Sequence, residues 1–370
     1  MERILCGICN NKIKNIFCLE NMPIKLSCCE NNYEFKYNNL SFSQCLECKT
    51  IQLDKLILLE ELYSNSHNYS SIGKVWENYF NLFCNSIKDI IINKNILEIG
   101  DPSGKIANKS LEYKKWYIIE PNKNKDILFN DNIEFIEGFF DNNFYTSIKI
   151  DIIIHSHLFE HIYEPNLFLK KCYEILEENG EMFFGVPNME YIGLKEISPF
   201  LGIFFEHTIF LNKENIIWLL EYNGFNIINV IDYENHSILF HVKKSNKKKE
   251  NDISIYNYND LFFSTLDNYY NFINRCNNII ENTNLNIYVF GASYNTQFLF
   301  TLGLKQEKIS GILDNSKEKE SKYLYGYNLI IYNPKIIIDN ECIIILKNGY
   351  YCNEIKEQLL QINKDIVIIN

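Results

Sequence analysis

Two hydrophobic periodicities alternate along most of the chain: short runs rich in β-branched and aromatic residues, and longer stretches whose apolar positions recur every three or four residues. The short runs Ile96–Ile99, Trp116–Ile119, Ile133–Ile136, Asp151–His155 and Glu181–Val186 are separated by helical stretches, the pattern of βαβ units around a parallel sheet. A later pair, Phe225–Ile231 and Ser237–Val242, predicts an antiparallel edge. After the polar stretch Lys243–Asp252 comes a predicted helix over Tyr258–Glu281. A second α/β pattern then follows, with strands at Ile287–Phe290, Ile309–Leu313, Ile336–Ile338, Cys342–Leu346 and Ile366–Ile369. Before all of this, Leu58–Tyr63 and Trp76–Ile92 read as helices, and the first 55 residues show little periodicity.

The chain therefore divides into a module at 1–55, a helical connector at 56–92, an α/β domain at 93–243, and a linker helix with a second Rossmann-like α/β domain at 244–370. With 46% hydrophobic residues it is long enough for several cores. A net charge of -11, with lysines scattered apart from the run Lys243–Lys249, argues against nucleic acid as a partner. Met1–Cys6 carries no basic-then-apolar leader, and no apolar run approaches the roughly 18 residues that cross a bilayer. The expectation is a cytoplasmic protein, monomer or homodimer, with no membrane contact.

Cysteine usage changes the picture of the first module. Seven of twelve cysteines fall within the first 48 residues, and Cys6-x-x-Cys9 and Cys45-x-x-Cys48 form two knuckles. Two such turns complete a closed tetrahedral Zn²⁺ site, which folds a segment too small to hold itself together.

Candidate chemistry begins at Asn95–Lys105, where a buried strand breaks into the turn Gly100-Asp101-Pro102-Ser103-Gly104 and enters a helix. The next strand ends at Glu120, about twenty residues on, where a carboxylate can accept both hydroxyls of a ribose. These two features suit any adenosine-containing cofactor, NAD included.

The segments Ile150–Pro165, carrying His155-Ser156-His157 and Glu160-His161, and Leu176–Asn188, ending Val186-Pro187-Asn188, resemble the fourth and fifth strand motifs of class I S-adenosylmethionine (SAM) methyltransferases. That resemblance implies a SAM-dependent methyltransferase in which Glu98, Gly100, Gly104 and Glu120 bind SAM and the His155–His157 turn lies against its methionine half. Pro102 departs from the usual central glycine of the loop.

The whole layout resembles the three-part sugar methyltransferases, known for C-methylation of nucleotide-linked deoxysugars. The motifs are Cys45–Leu53 and Tyr69-Ser70-Ser71 in the first part, and Val289–Ser293, Gly311–Asn315 and Lys347–Tyr351 in the last. Gly291-Ala292-Ser293 reads as a strand-to-helix turn with free amides fit for a phosphate oxygen. In Phe204-Phe205-Glu206-His207, Glu206 and His207 align with acidic and basic residues that face the sugar, and Phe204 replaces the family's tyrosine.

A histidine can take a proton near neutral pH, so His207 is the expected general base, Glu206 its partner, and Tyr69 or Tyr63 a substitute hydroxyl. The implied acceptor is a nucleotide-activated or phosphorylated sugar, methylated on carbon or oxygen. Two alternatives stand beside it. One is an NAD-dependent sugar oxidoreductase, for which neither turn supplies Gly-x-Gly-x-x-Gly. The other is a silent binding or scaffold protein of glycan assembly, motivated by Pro102 and Phe204.

Overall fold

A computed structural model describes residues 1–25, 28–30, 34–63, 73–122, 131–194, 199–246, 253 and 255–370. The first module has more regular structure than its weak periodicity predicts. Strands β1 (Ile13–Pro23), β3 (Tyr37–Cys45) and β4 (Ile51–Leu53) pair antiparallel, while β2 (Cys28–Cys29) lies apart. Irregularities in the β1–β3 register between Asn15 and Phe17, and between Leu19 and Met22, break the period-two alternation that would reveal the strands.

Helices α1 (Leu59–Leu62) and α2 (Lys74–Ile87) follow. The latter buries Tyr79, Phe83 and Ile87, one residue per turn on a single face.

The central sheet contains β5 (Asn95–Ile99), β6 (Lys115–Glu120), β7 (Ile133–Glu137), β8 (Ile150–Ser156), β9 (Leu176–Pro187), β10 (Phe225–Tyr233) and β11 (Ser237–Lys244). Its order is β10-β11-β9-β8-β5-β6-β7, with β5 to β9 parallel and β11 antiparallel to both neighbours. Helices α3 (Lys105–Lys109), α4 (Pro165–Ile175), α5 (Met189–Leu194) and α6 (Lys213–Tyr222) complete this part. Proline opens α4, where its missing N–H has no helical partner to lose, and the Asn212 side chain caps α6 through the Asn215 amide.

Alternation along the strands sends Ile96, Trp116, Ile118, Ile152 and Ile154 to the α2 face, and Leu97, Ile99, Ile119, Ile153 and Phe184 to the other. Successive connections depart in opposite directions from β5, so a crevice opens between the carboxyl ends of β5 and β8, the usual ligand position in such sheets.

The long helix α7 (Asn259–Asn282) leads to a second parallel sheet of β12 (Asn286–Phe290), β13 (Ile309–Leu313), β15 (Ile331–Tyr332), β16 (Cys342–Leu346) and β17 (Val367–Ile369). Helices α8 (Tyr294–Thr301) and α9 (Cys352–Ile362) flank it. The strand predicted at Ile336–Ile338 is a correction: Pro334–Ile337 is a 3-10 turn capped by the Asn333 side chain, so Asn-Pro turn chemistry overrides a short apolar run.

The small strand β14 (Tyr323–Leu324) pairs antiparallel with β2 and ties the first module to the last sheet. Phe42, Phe200, Phe262 and Phe298 meet with ring centroids 4.9–5.3 Å apart, one ring each from the first module, the central part, α7 and α8. Among the described residues, no helix is long and apolar enough to cross a membrane.

Candidate active site

The crevice is built first by backbone. At the end of β5, Gly100 has φ +82°, and a Cβ there would lie 2.9 Å from Leu158 Cδ1 in the turn after β8. Glycine is what lets the two turns approach. Asp101 then folds back on the loop: its Oδ1 accepts from the Ser103 and Gly104 amides at 2.8 and 2.9 Å, and its Oδ2 from the Lys105 amide at 2.7 Å. Gly104 itself is left-handed, φ +59°. With Pro102 in place of a glycine, this carboxylate fixes the loop's shape, a role the sequence reading did not assign to Asp101.

Glu120 ends β6, partly exposed, its Oε1 accepting from the Asn122 amide at 3.0 Å. Burial raises its pKa to about 7, against the pull of that amide. Glu98 is 1% exposed and lies behind the loop, its Oε2 accepting from Trp116 Nε1 at 2.7 Å. Burial, reinforced by Asp101, pushes its carboxyl well above the ordinary range. It supports the crevice and does not line its surface.

The two histidines expected beside the cofactor part company. His155 corrects the expectation: its ring is fully buried between Phe159, Phe168 and Phe184, stacked on the last at 4.5 Å. Strand alternation sends it into the core, where burial lowers its pKa to about 3.

His157, in the left-handed region at φ +49°, sits 4.8 Å from the Trp76 ring and 5.2 Å from Tyr79. Its Nε2 lies 2.9 Å from Ser237 Oγ and its Nδ1 3.4 Å from Glu160 Oε1.

Beyond this turn, side chains from three distant segments converge. Tyr63 hydroxyl is 2.8 Å from His161 Nδ1, and His161 Nε2 is 3.2 Å from His207 Nε2. Glu206 Oε2 lies 3.9 Å from His161 Nδ1. His161, which the sequence analysis placed only within the Glu160-His161 motif, is the centre of the group. The Glu-His spacing after β8 was its sole signal.

Burial, then the neighbouring His161, lowers the His207 pKa to about 3, so the ring is neutral at pH 7. Burial raises Glu206 to about 7. Glu160 behaves oppositely: burial works to raise it, but His157, His161 and His207 outweigh that and hold it at about 2. Tyr69 lies outside the described residues.

The first module holds His207 in position. Leu53 N donates to Thr208 O at 2.8 Å and Phe210 N to Ile51 O at 2.9 Å, so β4 pairs with the segment leaving His207. The buried Arg3 guanidinium donates to Leu53 O, Thr208 O and Tyr163 O at 3.0, 3.2 and 2.7 Å. Ile209 packs over Gly7, where a Cβ would come within 2.6 Å of its Cδ1.

In the same module the sulfurs of Cys6, Cys9, Cys45 and Cys48 all lie within 4.8 Å of one another, Cys6–Cys48 at 3.6 Å and Cys9–Cys45 at 3.5 Å. Four thiolates around zinc, at about 2.3 Å each, stand about 3.8 Å apart, so the donor set fits a tetrahedral ion.

The turn expected to offer amides to a phosphate is a further correction. Gly291 N donates to Leu313 O, Ala292 N to Asp314 Oδ2 and Ser293 N to Gly291 O. Its neighbour Tyr294 instead stacks on Phe204 at 4.7 Å, and Phe204 in turn lies 4.2 Å from the His207 ring.

Residues 76–230 match the family model described as a methyltransferase domain. This part of the chain is a methyltransferase domain. The enzyme class it carries is methyl transfer.

Solved structures similar to this chain include a putative SAM-dependent methyltransferase from Listeria monocytogenes, at 13% identity and TM-score 0.37, covering 46% of this chain and 98% of that one. The N-methyltransferase NodS from Bradyrhizobium japonicum is similar at 12% identity and TM-score 0.36, covering 46% and 97%. The [4+2]-cyclase SpnF is similar at 10% identity and TM-score 0.38, covering 46% and 82%. No curated protein matches this chain.

Proposed function

We propose that this methyltransferase moves a methyl group from SAM to a nucleotide-activated or phosphorylated sugar, with His207 as general base, Glu206 as its partner, and zinc in the four-cysteine module. The observation that carries the reading is the meeting of His207, His161, Glu206 and Tyr63 beside the crevice. Asn122, two residues past Glu120, reaches the Tyr63 carbonyl at 3.5 Å. A proton-accepting cluster and an adenosine-type crevice are thus neighbours.

Gly100 and Gly104 give the donor's chain close access to backbone, and Glu120 accepts its ribose hydroxyls. Glu98 and Asp101 keep the loop in shape from behind. When bound, SAM supplies an electrophilic methyl on a sulfonium.

Methyl transfer of this kind is an in-line displacement, so the protein must align the acceptor and remove its proton. At pH 7 the neutral His207 ring has a lone pair to offer, and the Glu160 anion stabilises the positive charge that forms on it. A ring of such low basicity must pass the proton on. Glu206, with its carboxyl near 7, is matched to receive it.

Phe204 offers no hydroxyl to an enolate, whereas an acceptor hydroxyl needs only the base. Oxygen methylation therefore stands level with carbon methylation, and the Tyr63 hydroxyl, 2.8 Å from His161 Nδ1, is placed to serve either. The zinc module acts at a distance, through β4 and Arg3, on the placement of His207.

Thermal shift with SAM, S-adenosylhomocysteine and NAD tests the donor, because a ligand that binds only the folded chain stabilises it in proportion to RT ln(1 + [L]/Kd). Stabilisation by the first two and not by NAD is expected. Stabilisation by NAD alone would overturn the reading, and silence toward all three would favour a scaffold.

A further inference from the structure

We propose that Glu160, His161 and His207 form a site for a divalent transition-metal ion of the zinc class, separate from the four-cysteine cluster. One donor atom from each of the three side chains lies within 4.8 Å of the other two. The Nε2 atoms of His161 and His207 point at each other across 3.2 Å. Two imidazole nitrogens on one tetrahedral zinc-like ion, each at about 2.0–2.1 Å, are separated by about 3.3 Å.

The third donor points to a ligand independently. Glu160 is 3% exposed, and its Oε2 has no hydrogen-bond partner among the described residues. A carboxyl oxygen buried so deeply without a partner is costly unless a cation or donor meets it.

Two of the three side chains are also held from behind: Tyr63 hydroxyl meets His161 Nδ1 at 2.8 Å, and His157 Nδ1 meets Glu160 Oε1 at 3.4 Å. Outer partners of this kind orient metal-binding imidazoles and carboxylates. Two imidazoles and one carboxylate suit zinc, cobalt or manganese better than calcium or magnesium, and three protein donors leave a coordination position open.

The consequence rests on the base assigned under Proposed function. A lone pair bound to metal cannot accept a proton, so the ion and the acceptor's proton compete for His207 and metal loading suppresses methyl transfer.

The test uses the full chain with zinc already in the cysteine cluster, titrated with Co²⁺, whose thiolate complexes absorb intensely in the near ultraviolet while nitrogen and oxygen ligands give only weak visible bands. Expected are a second equivalent of metal with visible bands alone, its loss in both Glu160→Gln and His161→Asn, and a transfer rate that falls in step with loading. If one variant fails to fold the other carries the test, since each removes one ligand.

No second equivalent, thiolate bands alone, or binding that persists in the variants would overturn the site. Binding with an unchanged rate would overturn the competition. Failure of the underlying reading looks different: the chain with zinc in the cysteine cluster alone and no second metal would show no methyl transfer, or His207→Ala would retain it.

Discussion

His161 and His207 come from segments 46 residues apart and bring their Nε2 atoms within 3.2 Å, their rings nearly perpendicular at 81°. Two imidazoles so placed converge on one point, and the chemistry proposed for the chain follows from what arrives there.

If that point is where the acceptor loses its proton, His207→Ala lowers kcat by about 10²–10⁴-fold and leaves donor affinity nearly unchanged. Steady-state kinetics with donor binding measured by calorimetry separates the two. Unchanged turnover removes His207 from the role of base.

The same cluster predicts a pH profile. Glu206 accepts a proton only when ionised, and its pKa is raised to about 7 by burial. The transfer rate therefore rises through neutral pH and levels off above it. In Glu206→Gln that rise disappears and the plateau is lower.

Glu120 is predicted to matter for binding rather than chemistry. Loss of a charged acceptor on the ribose costs about 1.5–3 kcal/mol, so Glu120→Ala weakens S-adenosylhomocysteine by about 10–100-fold in calorimetry. An unaltered Kd would place the nucleoside elsewhere.

Arg3 links the cysteine module to the segment that follows His207. Replacing it with Met leaves the carbonyls of Leu53, Thr208 and Tyr163 without its charged donors, a loss of about 2–4 kcal/mol by urea denaturation. Chelation of metal from Cys6, Cys9, Cys45 and Cys48 acts on the same connection. It lowers Tm, and kcat falls further than donor affinity.

His155 gives a stability prediction free of catalysis. Its folded pKa of about 3 lies below the unfolded value near 6.5, so the unfolded chain binds the proton first as pH falls. The contribution is complete above pH 6.5 and is lost progressively toward pH 3. His155→Phe fills the same aromatic site without a titrating ring, and its Tm therefore falls less than the parent's over that window.

Much of the central fold was legible because β5, β6, β8 and β9 are apolar runs bounded by helices, and the hairpin of β10 and β11 is marked by the turn at Glu234–His236. The first module was not legible as a sheet, since its register breaks hide the alternation. Ile336–Ile338 failed for a local reason, the cap formed by Asn333 and Pro334.

At the site, the turn glycines and Glu120 were readable from strand-turn-helix order. The convergence of Tyr63, His161 and His207 was not, because it depends on β4 pairing with residues 208–210 and on Arg3, contacts between segments far apart in sequence. Free amides at Gly291–Ser293 were also a misreading: the Asp314 side chain takes the amide of Ala292.

The most direct test of the central claim is mass spectrometry of a cell-extract sugar-nucleotide pool incubated with the full chain and deuteriomethyl SAM, beside His207→Ala. The account predicts a labelled methyl on a sugar nucleotide or sugar phosphate with the parent protein and none with the variant. Label on no sugar, or equal labelling by both proteins, would contradict it.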